Sequence, residues 1–231
     1  MTKVLNSKLI RGFRDQNSGA LFCDYEFVQC RFEHCLFGTL RDPKRRPTAR
    51  RISLIGCSVL QCHLSAPIFE DIKVSGLNSD SNLILWAPAF RHVTLEGPIC
   101  SLIVNMDEDP AGDLDPVNAE FRKANADFYS TVDWALDISR SEFSDVSIDG
   151  VPASLVRRDP ESQVVIRRER VLGSRWKDVP LTGTHWPIEI EFFLDSGEAD
   201  HVMIAPKRSK NFKILVEGLR LLQKEGVAEP D

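Results

Sequence analysis

Phenylalanine recurs every five residues near the start of the chain, at Phe22, Phe27, Phe32 and Phe37. A helix face repeats about every 3.6 residues and a strand face every 2 residues, so a period of five belongs to neither. Such a period predicts a solenoid whose turns have flat sides of five residues, with one apolar residue of each side pointing inward. The pattern constrains the fold far more than it constrains the function.

The same period continues along the chain, and a second inward position precedes each apolar residue by two. The later inward residues are Leu54, Val59, Leu64, Phe69, Val74, Leu85, Phe90, Leu95, Cys100, Ile138, Phe143 and Ile148. The positions two residues earlier are mostly small or apolar, and four of them are Cys30, Cys35, Cys57 and Cys62. Two inward positions that share one register strengthen the prediction of a repeating fold.

This register separates core residues from surface residues. Phe32, Val59, Leu64 and Phe90 are expected to be almost fully buried, and Glu33 is expected to lie outside the core. Phe32→Ala is therefore expected to lower the stability sharply, whereas Glu33→Ala is expected to change it little.

Two stretches, CDYEFVQCRFEHCLF at 23–37 and IGCSVLQCHL at 55–64, carry the pattern best. Here the chain resembles the pentapeptide-repeat family, whose five-residue unit has a central Leu or Phe and a small residue two places earlier. The resemblance covers about a third of the chain and implies a right-handed, four-sided parallel β-helix. Units with Val, Ile or Pro, and a break in register between Phe37 and Leu54, leave open an irregular right-handed β-helix instead of a strict prism.

The expected fold class is mainly β, with two segments. Residues 1–150 are predicted to form the right-handed β-helix, with an inserted loop over 40–51 and a lateral amphipathic helix over 116–135. Residues 151–231 are predicted to form a small α+β cap. Residues 1–21 fit no repeat register and are expected to form an N-terminal cap that covers the backbone edges of the first turn.

Within the last segment, apolar and alternating runs predict strands at 163–167, 188–194 and 202–204. Spaced apolar residues predict a final helix that begins near Ser209 and ends at Gly226.

The six cysteines are predicted to be reduced, because buried free cysteine behaves as a small hydrophobe. A zinc site built from Cys30, Cys35, Cys57 and Cys62 is the alternative. Structural zinc usually draws on ligands two to four residues apart within each pair, and these pairs are five residues apart. No metal and no cofactor are therefore predicted.

A basic segment supplies the candidate partner-binding residues. They are Arg41, Lys44, Arg45, Arg46, Arg50 and Arg51. Because the whole chain carries a net charge of −5, a concentrated basic element predicts contact with phosphate or with an acidic partner. The alternative is a solvated insertion. Since the segment is predicted to be an exposed loop, replacing its arginines is expected to leave folding intact.

No nucleophile elbow, phosphate loop, zinc-protease motif or dinucleotide fingerprint occurs, and no catalytic residue is assigned. A rigid solenoid wall suits a non-enzymatic protein that binds another macromolecule. The predicted partner is a protein, with nucleic acid as an alternative. The family resemblance implies partners such as gyrase-like enzymes, which some members bind as DNA mimics. An immunity or antitoxin protein is a second form of this function.

The alternative function is a β-helix enzyme that acts on a carbohydrate or another polymer. No apolar run approaches the ~20 residues of a membrane helix, and the first residues contain no apolar signal region. The expected location is therefore cytoplasmic, without membrane contact.

Overall fold

A computed structural model describes residues 2–39, 42–107 and 116–229. Over these ranges the chain is mainly β, as predicted, with two parallel sheets, one small antiparallel sheet and four α-helices. None of the helices in the described ranges combines the length and the apolar character that a membrane crossing requires.

The strands of the two parallel sheets are numbered in chain order. The larger sheet contains β1 (Lys3–Asn6), β2 (Leu9–Arg11), β4 (Leu21–Val28), β5 (Arg31–Glu33), β7 (Thr48–Leu60), β9 (Ile68–Ser79), β11 (Ala89–Ile99), β13 (Leu136–Phe143) and β15 (Val156–Arg157). The smaller sheet contains β3 (Arg14–Gln16), β6 (Leu36–Gly38), β8 (His63–Ser65), β10 (Leu83–Trp86), β12 (Leu102–Asn105) and β14 (Val146–Ile148).

The chain passes through both parallel sheets again and again, and each pass is called a layer. Thr48 pairs with Ile68, and Ile68 in turn pairs with Ala89. Because these partners are 20 and 21 residues apart, one layer takes about four units of five residues. Side chains at equivalent positions therefore stack, as Phe69 and Phe90 do with ring centroids 5.9 Å apart.

The period of five also appears in the backbone. A residue with positive φ follows many of the inward residues by two positions, as Asp24 follows Phe22 and Gly56 follows Leu54. These residues are Ser7, Gly12, Asn17, Asp24, Gln29, His34, Arg51, Gly56, Gln61, Ala66, Asp71, Gly76, Ala87, His92 and Gly97. The left-handed conformation turns the chain sharply, and most L-residues adopt it at a cost. Regular corners thus divide the long strands into short straight sides.

Residues 2–21 do not form the predicted cap. Strands β1, β2 and β3 are the first layer, and Leu5, Ile10 and Asp15 pair with Phe27, Phe32 and Phe37 of the second layer. The period of five therefore extends to the start of the described chain. It was missed because only two of these three inward positions are apolar, and the third is an aspartate.

The inward side chains of the core are more completely buried in the middle layers than in the first layers. Phe90 is 3% exposed, and Cys30 and Cys57 are also buried. Phe32, Val59 and Leu64 are only partly buried, contrary to expectation, because they line internal cavities.

The cysteine thiols make contacts between layers. Cys30 Sγ donates to the carbonyl of Leu5 at 3.3 Å, and Cys57 Sγ donates to the carbonyl of Phe27 at 3.3 Å. In each case the acceptor belongs to the preceding layer, so the small inward position adds a weak cross-link beside the backbone ladder. All six cysteines are free.

Glu33 does not lie at the surface as expected. The residue is 4% exposed, and its carboxylate accepts from Arg11 of the layer below and pairs with Arg31 at 2.6 Å. Hydrogen bonding to Arg11 lowers the pKa of Glu33, although burial opposes this effect. Replacing Glu33 by alanine is therefore expected to remove contacts between the first two layers.

Helix α1 (Pro116–Tyr129) lies against the corners of two layers. Its buried residues are Asn118, Phe121, Asn125 and Tyr129. Phe121 packs on Ala66 and Ala87, two corner residues whose small side chains let the helix approach. The predicted helix over 116–135 was six residues too long, because the chain has to extend before Leu136 starts the next strand.

The predicted loop over 40–51 is also shorter in the structure. Pro43–Arg45 form a short 3-10 helix, and β7 begins at Thr48. Ala49 takes the inward position between Phe22 and Phe69. Its small side chain and its arginine neighbours hid this position from sequence analysis.

The C-terminal segment has its own core. β16 (Gln163–Arg167) pairs antiparallel with β17 (Asp200–Ile204), and both strands were predicted. Three helices pack beside them, namely α2 (Arg168–Leu172), α3 (Trp186–Ser196) and α4 (Phe212–Lys224).

The predicted strand at 188–194 is wrong, since these residues lie in α3. Trp186, Ile190 and Phe193 face the core at helical spacing, while Ile188 and Phe192 are exposed. The alternation of apolar residues that suggested a strand arose from these two surface residues.

Phe90→Ala is expected to lower the free energy of unfolding by about 3–5 kcal/mol, because the ring is buried against Phe69. The matched control is Phe192→Ala, which removes a ring that is 69% exposed and is expected to change stability by no more than about 0.5 kcal/mol. Urea denaturation measures both values. Equal losses in the two variants would contradict the assignment of the core.

His92 should titrate above its ordinary pKa, because Asp133 accepts from its Nε2 at 2.6 Å and Asp71 interacts with Nδ1 at 3.1 Å. The resulting stabilisation is complete below the unfolded-state pKa and is lost as pH rises through the folded-state pKa. NMR titration of the ring protons measures the midpoint. Asp133→Asn should lower it, and Asp80→Asn, a change at an exposed turn, should not. An unchanged midpoint in Asp133→Asn would contradict this assignment.

Candidate functional site

The basic segment does not form one surface. Lys44 and Arg45 are exposed on the short 3-10 helix, where the carbonyl of Arg45 accepts from the backbone N–H of Gly19. Asp42 caps this helix by accepting from the N–H of Lys44 at 2.9 Å. Arg41 lies outside the described residues. Of the predicted partner-binding residues, Lys44 and Arg45 thus lie exposed on a turn.

Arg46 is buried, 6% exposed, and serves the fold. Its guanidinium donates to the carbonyls of Ala66 at 2.8 Å and Ala87 at 2.9 Å, and to Asn125 Oδ1 at 2.7 Å. The carbonyls belong to corners of two layers, and Asn125 belongs to α1. Arg46 therefore joins two corners to the lateral helix and is not available to a partner. The prediction that Arg46 is exposed is therefore wrong.

Arg50 and Arg51 lie on β7, where both meet carboxylates. Arg51 makes a two-pronged contact with Asp24 of the preceding layer, at 2.8 and 2.9 Å. Arg50 lies 3.9 Å from Glu70 of the following layer, and Glu70 also contacts Arg91 at 3.2 Å. These arginines belong to charge ladders that run across the layers, so much of their charge is already compensated.

A different feature stands out at the first layer. An apolar cavity of about 380 Å³ runs inward from Ile10 and Phe13. Its other aromatic lining residues, all from later layers, are Phe22, Tyr25, Phe27, Phe32, Phe37, His63 and Phe69. The volume falls within the roughly 300–1,000 Å³ that is typical of ligand pockets.

The aromatic rings at the mouth of the cavity support one another. Phe13 meets Phe22 edge-to-face at 5.6 Å, and Phe22 meets Phe37 in the same manner at 5.4 Å. Phe13 remains 40% exposed, because no described residue covers the first layer. Val4 and Leu9 are 57% exposed on the same layer. The rings thus form a prearranged apolar surface that opens toward solvent.

The strands at this end also have one free backbone edge. Among the described residues, β1 pairs only with β4, β2 only with β5 and β3 only with β6. The outer edges of β1, β2 and β3, together with Phe13 and the cavity mouth, are called the first-layer face. Free edges of this kind accept an added strand.

The first-layer face is positively charged. Residues 2–21 contain Lys3, Lys8, Arg11 and Arg14 but only one acid, Asp15. Arg11 is paired with Glu33, and Lys3 lies over the Tyr25 ring at 5.7 Å. Lys8 and Arg14 have no ion-pair partner within the described part of the chain. The face therefore combines an apolar cavity with cationic side chains, a combination that the basic segment does not offer.

No protein family, curated protein or solved structure that was compared with the chain matches it. The first-layer face was not predicted, because residues 1–21 were expected to form a cap. The available signal was the pair Leu5 and Ile10, which continues the period of five toward the start of the chain.

Arg46→Gln is expected to lower the free energy of unfolding by about 2–4 kcal/mol, because it breaks buried hydrogen bonds made by a charged group. The neighbouring control Arg45→Gln should stay within about 0.5 kcal/mol of the wild type. Urea denaturation of the three proteins gives the comparison. Equal stabilities for Arg46→Gln and Arg45→Gln would show that the buried network contributes nothing.

Proposed function

We propose that the protein is a non-enzymatic binding scaffold, built as a right-handed β-helix of the pentapeptide-repeat type, which holds a protein partner at its first-layer face. Parallel pairing at intervals of about 20 residues supports the β-helix, as do corners with positive φ every five residues. Each layer contacts mainly its neighbours, so the scaffold is rigid and presents a preformed end.

The observation that carries the proposal is the coincidence of free strand edges with an open apolar cavity. An extended segment of a partner can pair with the outer edge of β1, β2 or β3 through its backbone. An apolar side chain of that segment then enters the cavity beside Phe13. Backbone pairing supplies affinity, and the cavity selects the anchor residue.

The positive charge of the first-layer face further restricts which proteins can bind there. The cations Lys3, Lys8 and Arg14 favour a segment with acidic residues next to its apolar anchor. The same cations oppose face-to-face pairing of two copies, because like charges would meet. The partner is therefore a different, acidic protein segment and not a second copy of the chain.

Two forms of this function differ in their support. An immunity or antitoxin protein needs one rigid surface that matches one partner, and the first-layer face meets that need. DNA mimicry needs a continuous acidic surface. Along the charge ladders of the outer walls, acidic and basic side chains alternate instead. Glu70 lies between Arg50 and Arg91, and Glu96 lies between Lys73 and Arg140. An immunity-type binder is thus the better-supported form.

The alternative of a β-helix enzyme needs a carboxyl group that can act as an acid near neutral pH. The hydrogen bond from Lys73 lowers the pKa of Glu96 on the outer wall, although burial opposes it. Glu70 is held between two arginines. These wall carboxylates are engaged in ion pairs and do not meet that requirement. Glu198, whose pKa is raised to about 7 mainly by burial, lies in the C-terminal segment and not on a wall of the parallel sheets, so the walls favour the binding scaffold over a β-helix enzyme.

A displayed library of random peptides, selected on the wild-type protein, tests the proposal. We expect enriched peptides with an apolar residue flanked by acids, whose affinity falls as salt concentration rises. Phe13→Asp should weaken their binding at least tenfold. The control Phe192→Asp places the same charge at an exposed ring on α3 and should leave binding unchanged.

The position of the peptide provides an independent readout. Amide hydrogen exchange in the complex should slow in β1, β2 and β3 relative to the free protein. The proposal fails if no peptide is enriched. It also fails if the selected peptides bind Phe13→Asp as tightly as wild type or protect other strands.

A further inference from the structure

Four ionisable side chains meet where the parallel sheets contact the C-terminal segment. Asp149 follows β14, Glu189 lies on α3, Glu198 lies in the turn after α3, and His201 is on β17. His201 is buried, with its side chain 4% exposed and its ring stacked near Phe193 at 5.8 Å. The cluster belongs neither to the layer ladders nor to the first-layer face.

The two ring nitrogens of His201 face different groups. Nε2 lies 3.1 Å from Glu189 Oε1, and Nδ1 lies 3.6 Å from Asp149 Oδ1. The hydrogen bond between Nε2 and Glu189 raises the pKa of His201, although burial opposes this effect. In the neutral ring, Nε2–H donates to Glu189 and Nδ1 keeps its lone pair. That lone pair then points toward the carboxylates. A carboxylate behind a histidine is the usual arrangement around a metal-bound imidazole.

A backbone N–H holds the carboxylate of Glu198 in place, and a neighbouring hydroxyl holds that of Asp149. Glu198 Oε1 accepts from the N–H of Gly150 at 2.6 Å. Ser147 Oγ donates to Asp149 Oδ2 at 3.4 Å. Arg168 fixes the turn that carries Glu198 by donating to the Glu198 carbonyl at 2.8 Å. One oxygen of each carboxylate remains for another ligand.

We propose that Asp149, Glu198 and His201 bind a divalent transition-metal ion. One ligand atom from each of the three lies within 4.8 Å of the other two. Ligand atoms at about 2.1 Å from a tetrahedral metal are about 3.4 Å apart, close to the 3.6 Å between His201 Nδ1 and Asp149 Oδ1. Small side-chain movements complete the site.

The ligand chemistry selects the class of ion. Two carboxylate oxygens and one imidazole nitrogen suit Zn²⁺ and its first-row neighbours, whereas Ca²⁺ and Mg²⁺ prefer oxygen ligands throughout. Three protein ligands leave at least one position for water. Glu189 completes the arrangement as the residue that positions the imidazole.

The electrostatics of the cluster are consistent with a bound cation. Burial, together with the negative charge of Asp149, raises the pKa of Glu198 to about 7. Burial and the charge of Glu189 also raise the pKa of Asp149, against the opposing effect of His201. A divalent ion between the two carboxylates removes this mutual repulsion. The competing arrangement is an ion pair in which a protonated His201 bridges Asp149 and Glu189.

The ion would join two parts of the chain that are distant in sequence. Asp149 directly follows the last strand of the smaller parallel sheet, while Glu198 and His201 belong to the C-terminal segment. Binding would therefore stabilise the contact between these parts, and the melting temperature of the whole chain should rise with metal concentration.

The test titrates metal-free protein with Zn²⁺ in competition with a chromophoric chelator, in the presence of a thiol-free reductant. Wild type should bind one equivalent. Asp149→Asn and Glu198→Gln should each weaken binding at least about tenfold, since even residues behind the ligands contribute that much. The matched controls Asp195→Asn and Glu191→Gln alter exposed acids on α3 and should bind as wild type does.

Zinc-edge X-ray absorption of the wild-type complex keeps the test decisive even if a variant fails to fold. The proposed site has only oxygen and nitrogen neighbours, at about 2.0–2.2 Å, and no sulfur at about 2.3 Å. A sulfur shell would assign the metal to the cysteines and overturn the proposal. If wild type does not bind Zn²⁺, or if folded Asp149→Asn and Glu198→Gln bind it as tightly as wild type does, the cluster is the ion pair and the proposal is overturned.

Discussion

The parallel hydrogen-bond ladder between successive layers is the constraint on which the other features depend. Each layer must present its backbone to the next in the same register, so the chain has to turn at matching places in every layer. Residues such as Arg51, Ala66 and Ala87 accept a left-handed conformation that is unfavourable for isolated residues. The ladder on both sides of each corner offsets that cost, and the inward side chains stack as a consequence.

Sequence periodicity predicted the layers over long runs of large, apolar inward residues, but it missed Leu5 and Ile10 in the first layer. It did not identify Asp15 or Ala49, because an aspartate and an alanine carry no apolar signal, although the backbone treats their positions like the rest. Arg46 was not recognised as a buried residue for a different reason. It belongs to a run of charges, and only the folded chain brings the carbonyls of Ala66 and Ala87 to its guanidinium.

The two proposed sites differ in how visible they are in the sequence. The first-layer face follows from the period of five once Leu5 and Ile10 are included. The cluster around His201 could not be predicted, because Asp149 is separated from Glu198 and His201 by about fifty residues. Its assembly depends on α3, which was itself predicted as a strand. The wrong assignment of a strand to these residues thus concealed the spatial relation between Glu189 and His201.

The insertion that contains α1 shows what a layered fold tolerates. Val93 pairs with Leu136, a step of 43 residues, yet β11 and β13 remain parallel partners as far as Ile99 and Phe143, with one register shift between Thr94 and Glu96. The additional chain leaves after Asn105, beside the corner at Ala87, and re-enters before Leu136, beside the corner at His92. Corners are therefore natural points of growth. A new loop or helix can be introduced there during evolution or by protein engineering, and the stack that supports it keeps its parallel pairing.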